Sequence, residues 1–462
     1  MPDSTTGSVP VSEPGSVDLP VTHPTPAPVA GPGPLHGIRV VEIAHPFTAF
    51  AGKLLADAGA DVVLIEPPEG AEQRYHGPFA EGGSSDSPPS EMSLVWWSDN
   101  TSKRSVVADL ETGPGRQLFR QLIETADVLV EGERPGYLAD LGIDYPDLTG
   151  RPIDADAKEI DDPAPGPPAV NADLIHMSIT PFGRSELGGS EDVIDLTLLA
   201  RGGPMWSCGY DDHTLPPVRG RGGQGVRMSS HFAVMSVLTA ILARSRHGGQ
   251  FIDLSMVAAA NVTTEFSSYG WLAARQTVQR QTGRHATPSP TEPTQVRCSD
   301  GRYLNTGVPP RTPEEFAGLS EWLTELGLTD EFPMAALLAM GSEYQKLTMT
   351  MIAEDPLAGE VFQAGREAMA FIASRVPAHE AFIGFQTRGI AAGVVWSPDE
   401  VMTDPHFVER GFPTEVYQPQ LDRTVTYPGP PIRFGASPMA IRGPAPALGQ
   451  HTDEVQGELD SQ

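Results

Sequence analysis

Apolar and polar positions near the start of the chain predict a strand, a helix and a second strand. Residues 38–44 (IRVVEIA) and 61–66 (DVVLIE) are short apolar runs, which are typical of buried strands. Between them, residues 48–60 place Phe50 and Leu54 on one side of a helix. Two strands joined by a helix within about 30 residues run parallel, because only a crossover connection returns the chain in the same direction.

The alternation of strands and helices continues along the chain. Thr112 is a good capping residue for the helix that follows the third predicted strand. A strongly apolar helix is predicted over residues 229–244. The further strand-like runs are at residues 105–110, 127–130, 174–180 and 251–256. This repetition predicts an α/β layered domain with a parallel sheet.

Changes in composition divide the chain. Residues 1–35 are rich in Pro, Ser, Thr and Gly, which predicts a disordered tail. A large α/β domain is predicted over 36–280, with an acidic, proline-rich surface insertion at 151–170. Helical patterns dominate a smaller inserted domain over 281–390, and residues 391–462 are predicted to return to the large domain in a loop-rich segment.

Composition excludes several classes of function. Acidic residues outnumber basic ones 60 to 31, which gives a net charge of -29. This excess of negative charge repels the phosphates of nucleic acids. Cys208 and Cys298 form neither a disulfide framework nor part of a Cys/His cluster, so no metal site is predicted. The first residues lack the pattern of a secretory signal, and the longest apolar run, within 232–243, is too short to cross a bilayer. We expect a cytoplasmic protein with no membrane or nucleic-acid partner.

A glycine-rich loop carries the first candidate chemistry. Residues 220–225 (GRGGQG) fit the dinucleotide pattern GxGxxG, but the preceding LPPV makes a poor strand, so a flexible loop is the favoured interpretation. The arginines Arg219, Arg221 and Arg227 either contact phosphate or pair with surface carboxylates.

Other candidate residues have two open interpretations. His45 follows the first strand, at the edge of a parallel sheet where ligands bind, but a structural role remains open. Lys103 and Arg104 precede a strand and either contact an anionic ligand or lie in solvent. Asp192 and Asp195 either favour a helix dipole or supply a reactive carboxylate.

An ordered set of segments from about Leu35 to Val455 carries a family resemblance. The segments are LHGIRVVEIA with GKLLADAGADVVLIEPP, SKRSVVADL, GRQLFRQLIETADVLVEGERPG, LIHMSITPFG, VLTAILARSRHGGQFIDLSM, RQTGRHATPSP, and AGVVWSPDEVMTDPHFVERGF through PAPALGQHTDEV. In this order they resemble the class III CoA-transferase family, which includes formyl-CoA and carnitine CoA-transferases and α-methylacyl-CoA racemase.

The resemblance implies an α/β fold with a Rossmann-like, discontinuous large domain and a smaller inserted α/β domain, in an interlocked dimer. It implies coenzyme A and acyl-CoA as substrates, a carboxylic acid as acceptor, and no tightly bound cofactor. The residues it implies for CoA binding are His45, Pro46, Phe47 and Thr48 after the first strand, and Pro67, Lys103, Arg104 and Arg134 near the nucleotide or phosphates.

The chain departs from the family at the reaction centre. The family's nucleophilic aspartate falls on Val226, and no carboxylate occurs from residue 215 to 243. The candidate carboxylates for a displaced nucleophile are those of Asp195, Asp192 and Glu191. The acid and base positions of the racemases fall on Ala258 and Ile194, and the Asn-Phe pair of the family turn N-F-x-P-G is Gly132-Glu133.

Three hypotheses follow. The first is a CoA-transferase that moves CoA from an acyl-CoA to a carboxylic acid, with a displaced carboxylate such as that of Asp195 as nucleophile. The second is a non-catalytic acyl-CoA-binding subunit that pairs with an active relative, so that the dimer is a heterodimer rather than a homodimer. The third is an acyl-CoA racemase or isomerase, which needs a base and an acid on either side of the α-carbon.

Overall fold

A six-stranded parallel sheet lies at the centre of the protein, in a computed structural model that describes residues 31–82, 88–153, 169–184 and 192–461. The strand order is 3-2-1-4-5-6, the order of Rossmann folds. The strands are β1 (Arg39–Ile43), β2 (Asp61–Glu66), β3 (Arg104–Val107), β4 (Val128–Glu131), β5 (Ile175–Thr180) and β6 (Phe251–Ser255). The predicted α/β, Rossmann-like fold is confirmed.

Both faces of this sheet are buried, which explains why its strands are continuous apolar runs in the sequence. Successive residues of a strand point to opposite faces, so Val40 and Val41 belong to two different hydrophobic clusters. The cluster of Val41 contains Phe119 and Leu122, and the cluster of Val40 contains Leu55.

Helices cover the two faces of the sheet. Those that precede the small domain are α1 (Ala49–Asp57), α2 (Leu94–Asp99), α3 (Gly113–Glu124), α4 (Tyr137–Asp140), α5 (Tyr145–Thr149), α6 (Asp195–Gly202), α7 (Gln224–His247), α8 (Met256–Val262) and α9 (Glu265–Ala274). Thr112 caps α3 as predicted, because its hydroxyl accepts a hydrogen bond from the backbone amide of Gly115. A short hairpin of β7 (Gln279–Gln281) and β8 (Arg284–Thr287) follows α9.

Helix α7 is the longest helix among the described residues. Ala233, Val237 and Ala240 pack it against the sheet. By length and composition alone, this helix of 24 residues is long and apolar enough to cross a membrane. The sequence pattern had predicted an apolar run that is too short to do so. Core helices of globular proteins meet the same requirement, and α7 packs as one of them along one face.

A second hydrophobic core lies in the smaller unit. It contains Phe316, Leu319, Phe385 and their neighbours between residues 298 and 390. Its antiparallel sheet has β9 (Gln295–Arg297), β10 (Tyr303–Asn305) and β11 (Gly393–Val394) in the order 11-10-9. Its helices are α10 (Pro313–Glu325), α11 (Ala335–Met340), α12 (Met349–Glu354), α13 (Pro356–Ala373) and α14 (Ala378–Thr387).

Strand β11 differs from the sequence prediction. The sequence predicts this strand at the start of the return to the large domain, but it pairs with β10 and completes the small sheet. The segment that follows returns to the large domain through α15 (Pro398–Thr403), α16 (Pro405–Glu409), β12 (Pro413–Gln418), β13 (Arg423–Pro428) and α17 (Thr452–Asp460). The β12–β13 hairpin lies in a segment that the sequence analysis took to be loop-rich. Most of the predicted tail and acidic insertion lies outside the described residues.

A buried ion pair fixes the C-terminal segment to the sheet. Both oxygens of Glu66 accept hydrogen bonds from the guanidinium of Arg74, at 2.7 and 2.8 Å. The same guanidinium donates to Glu91 and to the carbonyl of Pro446, and it stacks on Trp96 at 3.7 Å. Arg74 therefore joins β2 to the chain just before α17.

We expect Arg74→Met to lower the free energy of unfolding by about 3–5 kcal/mol, because it leaves the buried Glu66 carboxylate without its partner. Urea denaturation measures the loss. The control is Arg302→Met, which removes a partly exposed ion pair with Glu400 and should cost less than about 1 kcal/mol. Equal losses in the two variants would contradict this role of Arg74.

Candidate active site

The strand order places a crevice at the carboxyl ends of β1 and β4. The chain leaves β1 toward β2 and leaves β4 toward β5, so the two connections separate and open a cleft where ligands bind in such folds. The segments that border it are residues 44–48 after β1 and residues 132–136 after β4. These segments contain His45, Pro46, Phe47, Thr48 and Arg134 of the predicted site.

His45 is packed inside this crevice. Burial lowers the pKa of its imidazole to about 4, against the opposing effect of the Glu131 carboxylate. Its Nδ1 accepts a hydrogen bond from the backbone amide of Phe47 at 3.2 Å, and the two rings lie 4.6 Å apart. A Cβ atom at Gly132 would lie only 2.7 Å from Nδ1, so glycine at this position gives the imidazole its space. His45 is therefore neutral at pH 7.

Thr48 and Lys103 point into the protein. The hydroxyl of Thr48 lies 3.0 Å from Glu42 Oε1. Lys103 Nζ lies 2.8 Å from Glu42 Oε2 and donates to the carbonyl of Ala49 and to Asn100, and its side chain has no exposed surface. The charge that the resemblance assigned to CoA phosphates is thus bound by a buried carboxylate.

Arg104 lies at the opposite edge of the sheet, at the amino end of β3. Its guanidinium pairs with Asp61, Glu454 and Glu458 and holds α17 against the sheet. The structure therefore does not bring Arg104 together with the residues of the crevice, whereas Lys103 meets them through Glu42, which also bonds Thr48. Their assignment to CoA stays a prediction that the geometry does not favour.

Pro67 lines a cavity of about 500 Å³ at the crevice, which we call the sheet-edge cavity. Its other described lining residues are Ile43, Ala44, Ile65, Pro68, Glu69, Ala108, Asp109, Leu110, Glu111, Glu133 and Tyr137. None of these is a lysine or an arginine. Arg134 lies nearby in an exposed position, 3.3 Å from Asp140. The sheet-edge cavity is therefore acidic.

Glu133 is the carboxylate of this cavity whose protonation changes near neutral pH. Burial, and then the neighbouring charge of Glu131, raises its pKa to about 7. Glu133 stands where the family turn has phenylalanine, so an ionisable group replaces an apolar one at this edge.

A second cavity, of about 450 Å³, lies at the amino-terminal end of α7, and we call it the helix-end cavity. Pro46 and Val226 both line it, so the predicted CoA-binding segment and the family's nucleophile position meet there. Arg221 and Arg227 line it as well. The positive charge that the sheet-edge cavity lacks is thus found here.

Asp195 lies beside the helix-end cavity, but both of its oxygens are engaged. Oδ1 accepts hydrogen bonds from the backbone amides of Gly225 and Val226, at 2.7 and 3.4 Å, and Oδ2 accepts one from Arg219 at 3.0 Å. A carboxylate in this position satisfies amides at the start of α7 and favours the helix dipole. Asp192 is exposed, and Glu191 lies outside the described residues. The nucleophilic role of Asp195 stays a prediction, and its contacts are those of a structural group.

Asp99 is the one carboxylate among the described lining residues of the helix-end cavity. It was not among the predicted site residues. Its Oδ1 accepts a hydrogen bond from Arg227 Nη2 at 2.7 Å, and no described donor contacts its other oxygen. The guanidinium of Arg227 also stacks on Phe50 at 3.8 Å. Asp99 and Arg227 are 128 positions apart in the chain, so no local pattern could reveal this pair.

The glycine-rich loop does not form a dinucleotide site. No strand precedes it between α6 and α7, although α7 does begin at Gln224. Two of its three arginines form ion pairs, Arg219 with Asp195 and Arg227 with Asp99. This agrees with the prediction that these arginines pair with carboxylates of the protein. Among the described residues, no group of three His, Cys, Asp or Glu side chains could hold a metal ion.

Comparison with known proteins identifies the family. The family model CoA-transferase family III matches residues 35–152 and 167–452. The chain belongs to CoA-transferase family III. This confirms the resemblance drawn from the ordered segments.

Curated relatives of the chain are CoA-transferases. It is 27% identical over 426 residues to the succinyl-CoA:(R)-benzylsuccinate CoA-transferase subunit BbsE of Thauera aromatica, a match that covers 90% of this chain and 92% of the relative. It is 26% identical over 438 residues to the succinate–glutarate CoA-transferase of Agrobacterium fabrum, a match that covers 93% and 96% of the two chains.

A solved structure shows the same fold. A CAIB/BAIF family protein from Brucella suis superposes with a TM-score of 0.70 at 23% identity, over 93% of this chain and all of that one. At this identity the structural similarity supports the fold of this family III chain but not its chemistry.

The pH dependence of stability should report on Glu133. The pKa of Glu133 is raised from 4.5 to about 7 in the folded state. The free energy of unfolding is therefore highest, as far as Glu133 contributes, below pH 4.5, and this contribution is lost as pH rises through 7. Glu133→Gln should therefore match the wild type near pH 4.5 and be more stable by about 3 kcal/mol at pH 8. Urea unfolding at both pH values measures the difference.

The control for this measurement is Glu69→Gln. Glu69 lines the same cavity but is exposed, so water solvates its carboxylate in both states. A constant difference between Glu133→Gln and the wild type from pH 4.5 to 8 would show that Glu133 does not titrate in this range.

Proposed function

We propose that this chain transfers CoA from an acyl-CoA to a carboxylic acid. The observation that carries the proposal is the helix-end cavity, where Pro46, Val226, Asp99 and Arg227 converge in a member of CoA-transferase family III. Relatives with names such as succinate–glutarate CoA-transferase support an acyl-CoA and a free acid as the two substrates.

The two cavities suggest how acyl-CoA lies in the crevice. The thioester end belongs in the helix-end cavity, where Arg221 and Arg227 supply positive charge and α7 begins. The acidic sheet-edge cavity suits an uncharged base whose amino group donates to carboxylates, with Arg134 at its margin for a phosphate. His45, which is neutral, separates the two cavities along the chain.

Asp99 is the carboxylate best placed to act as the displaced nucleophile. Arg227 holds its Oδ1, and no described donor contacts its second oxygen. That oxygen attacks the thioester carbonyl, the CoA thiolate leaves, and a mixed anhydride forms. The thiolate then attacks the Asp99 carbonyl, which releases the donor acid and leaves an aspartyl-CoA thioester. The acceptor carboxylate then attacks the aspartyl-CoA thioester, which releases the CoA thiolate and forms a second mixed anhydride. The thiolate attacks the acceptor carbonyl of this anhydride, which forms the product acyl-CoA and restores the Asp99 carboxylate. Such a weak nucleophile depends on positioning and on a cavity that excludes water.

A second candidate is a non-catalytic acyl-CoA-binding subunit that pairs with an active relative. Val226 favours it, and so does the similarity to BbsE, which is described as a subunit. The outer surfaces of α7 and α9 expose large apolar residues that suit a partner chain, either a second copy or a relative: Leu242 is 82% exposed, Phe266 85% and Leu272 70%. A dimer in either form covers this surface.

The test follows CoA exchange by mass spectrometry, with succinyl-CoA as donor and a panel of carboxylic acids as acceptors. We expect the wild type to exchange CoA and hydroxylamine to trap an acyl-enzyme. Asp99→Asn should lower the exchange rate at least 100-fold, because it removes the free carboxylate oxygen. Asp330→Asn, at an exposed site in the small unit, is the matched control and should leave the rate unchanged.

Val226→Asp in the Asp99→Asn background tests whether the two positions are equivalent. It places a carboxylate at the family position on α7, and we expect it to restore part of the exchange. Unchanged exchange in Asp99→Asn would remove Asp99 from the reaction. Binding of CoA without exchange in the wild type, for every acid tested, would favour the non-catalytic subunit.

A further inference from the structure

A large apolar cavity adjoins the helix-end cavity. It has a volume of about 640 Å³ and lies beneath the β12–β13 hairpin, and we call it the hairpin cavity. The apolar side chains that dominate its wall include those of Phe50, Leu54, Trp97, Phe412, Tyr427 and Met439. Its size and its apolar lining are those of a site for a small organic molecule.

The two cavities meet at shared residues. Leu94, Ser98 and Arg227 line both of them, so a molecule can extend from one into the other past the guanidinium. The polar pair Lys53–Asp57 also lines the hairpin cavity, but these two side chains bind each other at 2.5 Å. Arg227 is therefore the charged group at the junction that remains to meet a ligand.

One donor of Arg227 is not used by the protein. Nη2 is bound to Asp99, but Nη1 is buried and has no hydrogen-bond partner among the described residues. A buried donor without a partner costs free energy, and a carboxylate is the acceptor that suits a guanidinium best. The junction thus combines an unsatisfied cationic donor with an apolar chamber.

We infer that Arg227 binds the carboxylate of an acid substrate and that the bulky apolar body of this acid lies in the hairpin cavity. The inference rests on the proposed function, since it names the class of acid used in the transfer. The pantetheine arm of CoA is a poorer occupant, because its amides would lie against apolar walls. An acid held at the partly exposed guanidinium of Arg227 has its carboxylate beside Asp99, where it must attack the aspartyl-CoA thioester.

The test measures binding of free acids to the full chain by calorimetry, without CoA and without turnover. The probes are 4-phenylbutanoate, acetate and the neutral isostere 4-phenylbutanamide. We expect 4-phenylbutanoate to bind at least tenfold more tightly than acetate, which lacks the apolar body, and at least tenfold more tightly than the amide, which lacks the charge.

Two substitutions separate the parts of the site. Arg227→Met should weaken 4-phenylbutanoate at least tenfold and leave the amide within about twofold, whereas Arg227→Lys should keep part of the preference for the acid. Met439→Trp should fill the hairpin cavity and weaken the acid and the amide alike. The control is Arg246→Met on the exposed far end of α7, about 28 Å from Arg227, and it should change nothing. Circular dichroism verifies that each variant is folded.

The inference is overturned if acetate binds as tightly as 4-phenylbutanoate, or if Arg227→Met leaves the preference for the acid intact. It is also overturned if no probe binds, as would happen if a second copy of the chain fills the cavity in solution. Selective binding together with absent CoA exchange would instead contradict the proposed function and leave this acid site standing.

Discussion

Glutamates buried within the central sheet constrain the structure around the candidate site. Glu42, Glu66 and Glu131 lie in β1, β2 and β4, and each is almost completely removed from solvent. A buried carboxylate is costly unless a cation or several donors meet it. Glu42 is paired with Lys103 and Glu66 with Arg74, while Glu131 Oε1 lies 3.6 Å from His176 Nε2. Glu42 and Glu66 thereby fix Lys103 and Arg74 inside the protein, whereas Glu131 Oε1 has no hydrogen-bond partner among the described residues.

This constraint limits the cations that can meet a ligand. The chain has 31 basic residues against 60 acidic ones, and its core already uses Lys103 and Arg74. At the carboxyl edge of the sheet, positive charge is found at Arg134 and at the start of α7, in Arg221 and Arg227. The helix-end cavity is therefore lined by basic side chains, whereas the sheet-edge cavity is acidic.

The sequence predicted the parts of the fold that depend on local patterns. The six strands of the sheet are apolar runs because both of their faces are buried. Thr112 predicts the start of α3 because its hydroxyl can cap a helix. The short helix α2 and the β12–β13 hairpin were not predicted, because their sequences carry weaker periodicity. The CoA-binding role of Lys103 was predicted from the family resemblance, and its pairing with Glu42 could not be predicted, because Glu42 lies 61 positions earlier, on another element.

The candidate site was harder to predict than the fold for the same physical reason. The family resemblance assigned roles to Val226 and Pro46 from their motif positions, and the structure places both residues in the lining of one cavity. Asp99 could not be found in this way, because its importance depends on Arg227, which reaches it from a helix far away in the sequence. Pairs of charges that meet only in the folded chain leave no periodic signal.

The proposed supply of the carboxylate from α2 instead of α7 has a simple energetic basis. Valine at position 226 packs against the apolar cluster that contains Val40 and Leu198, where an aspartate would need compensation for its burial. Asp99 receives that compensation from Arg227, whose charge is in turn stabilised by the ring of Phe50. Asp195 meanwhile satisfies the amides at the start of α7. In the proposed mechanism the site keeps a carboxylate beside α7 but supplies it from α2, and the arginine that holds this carboxylate also provides the cation for the incoming acid.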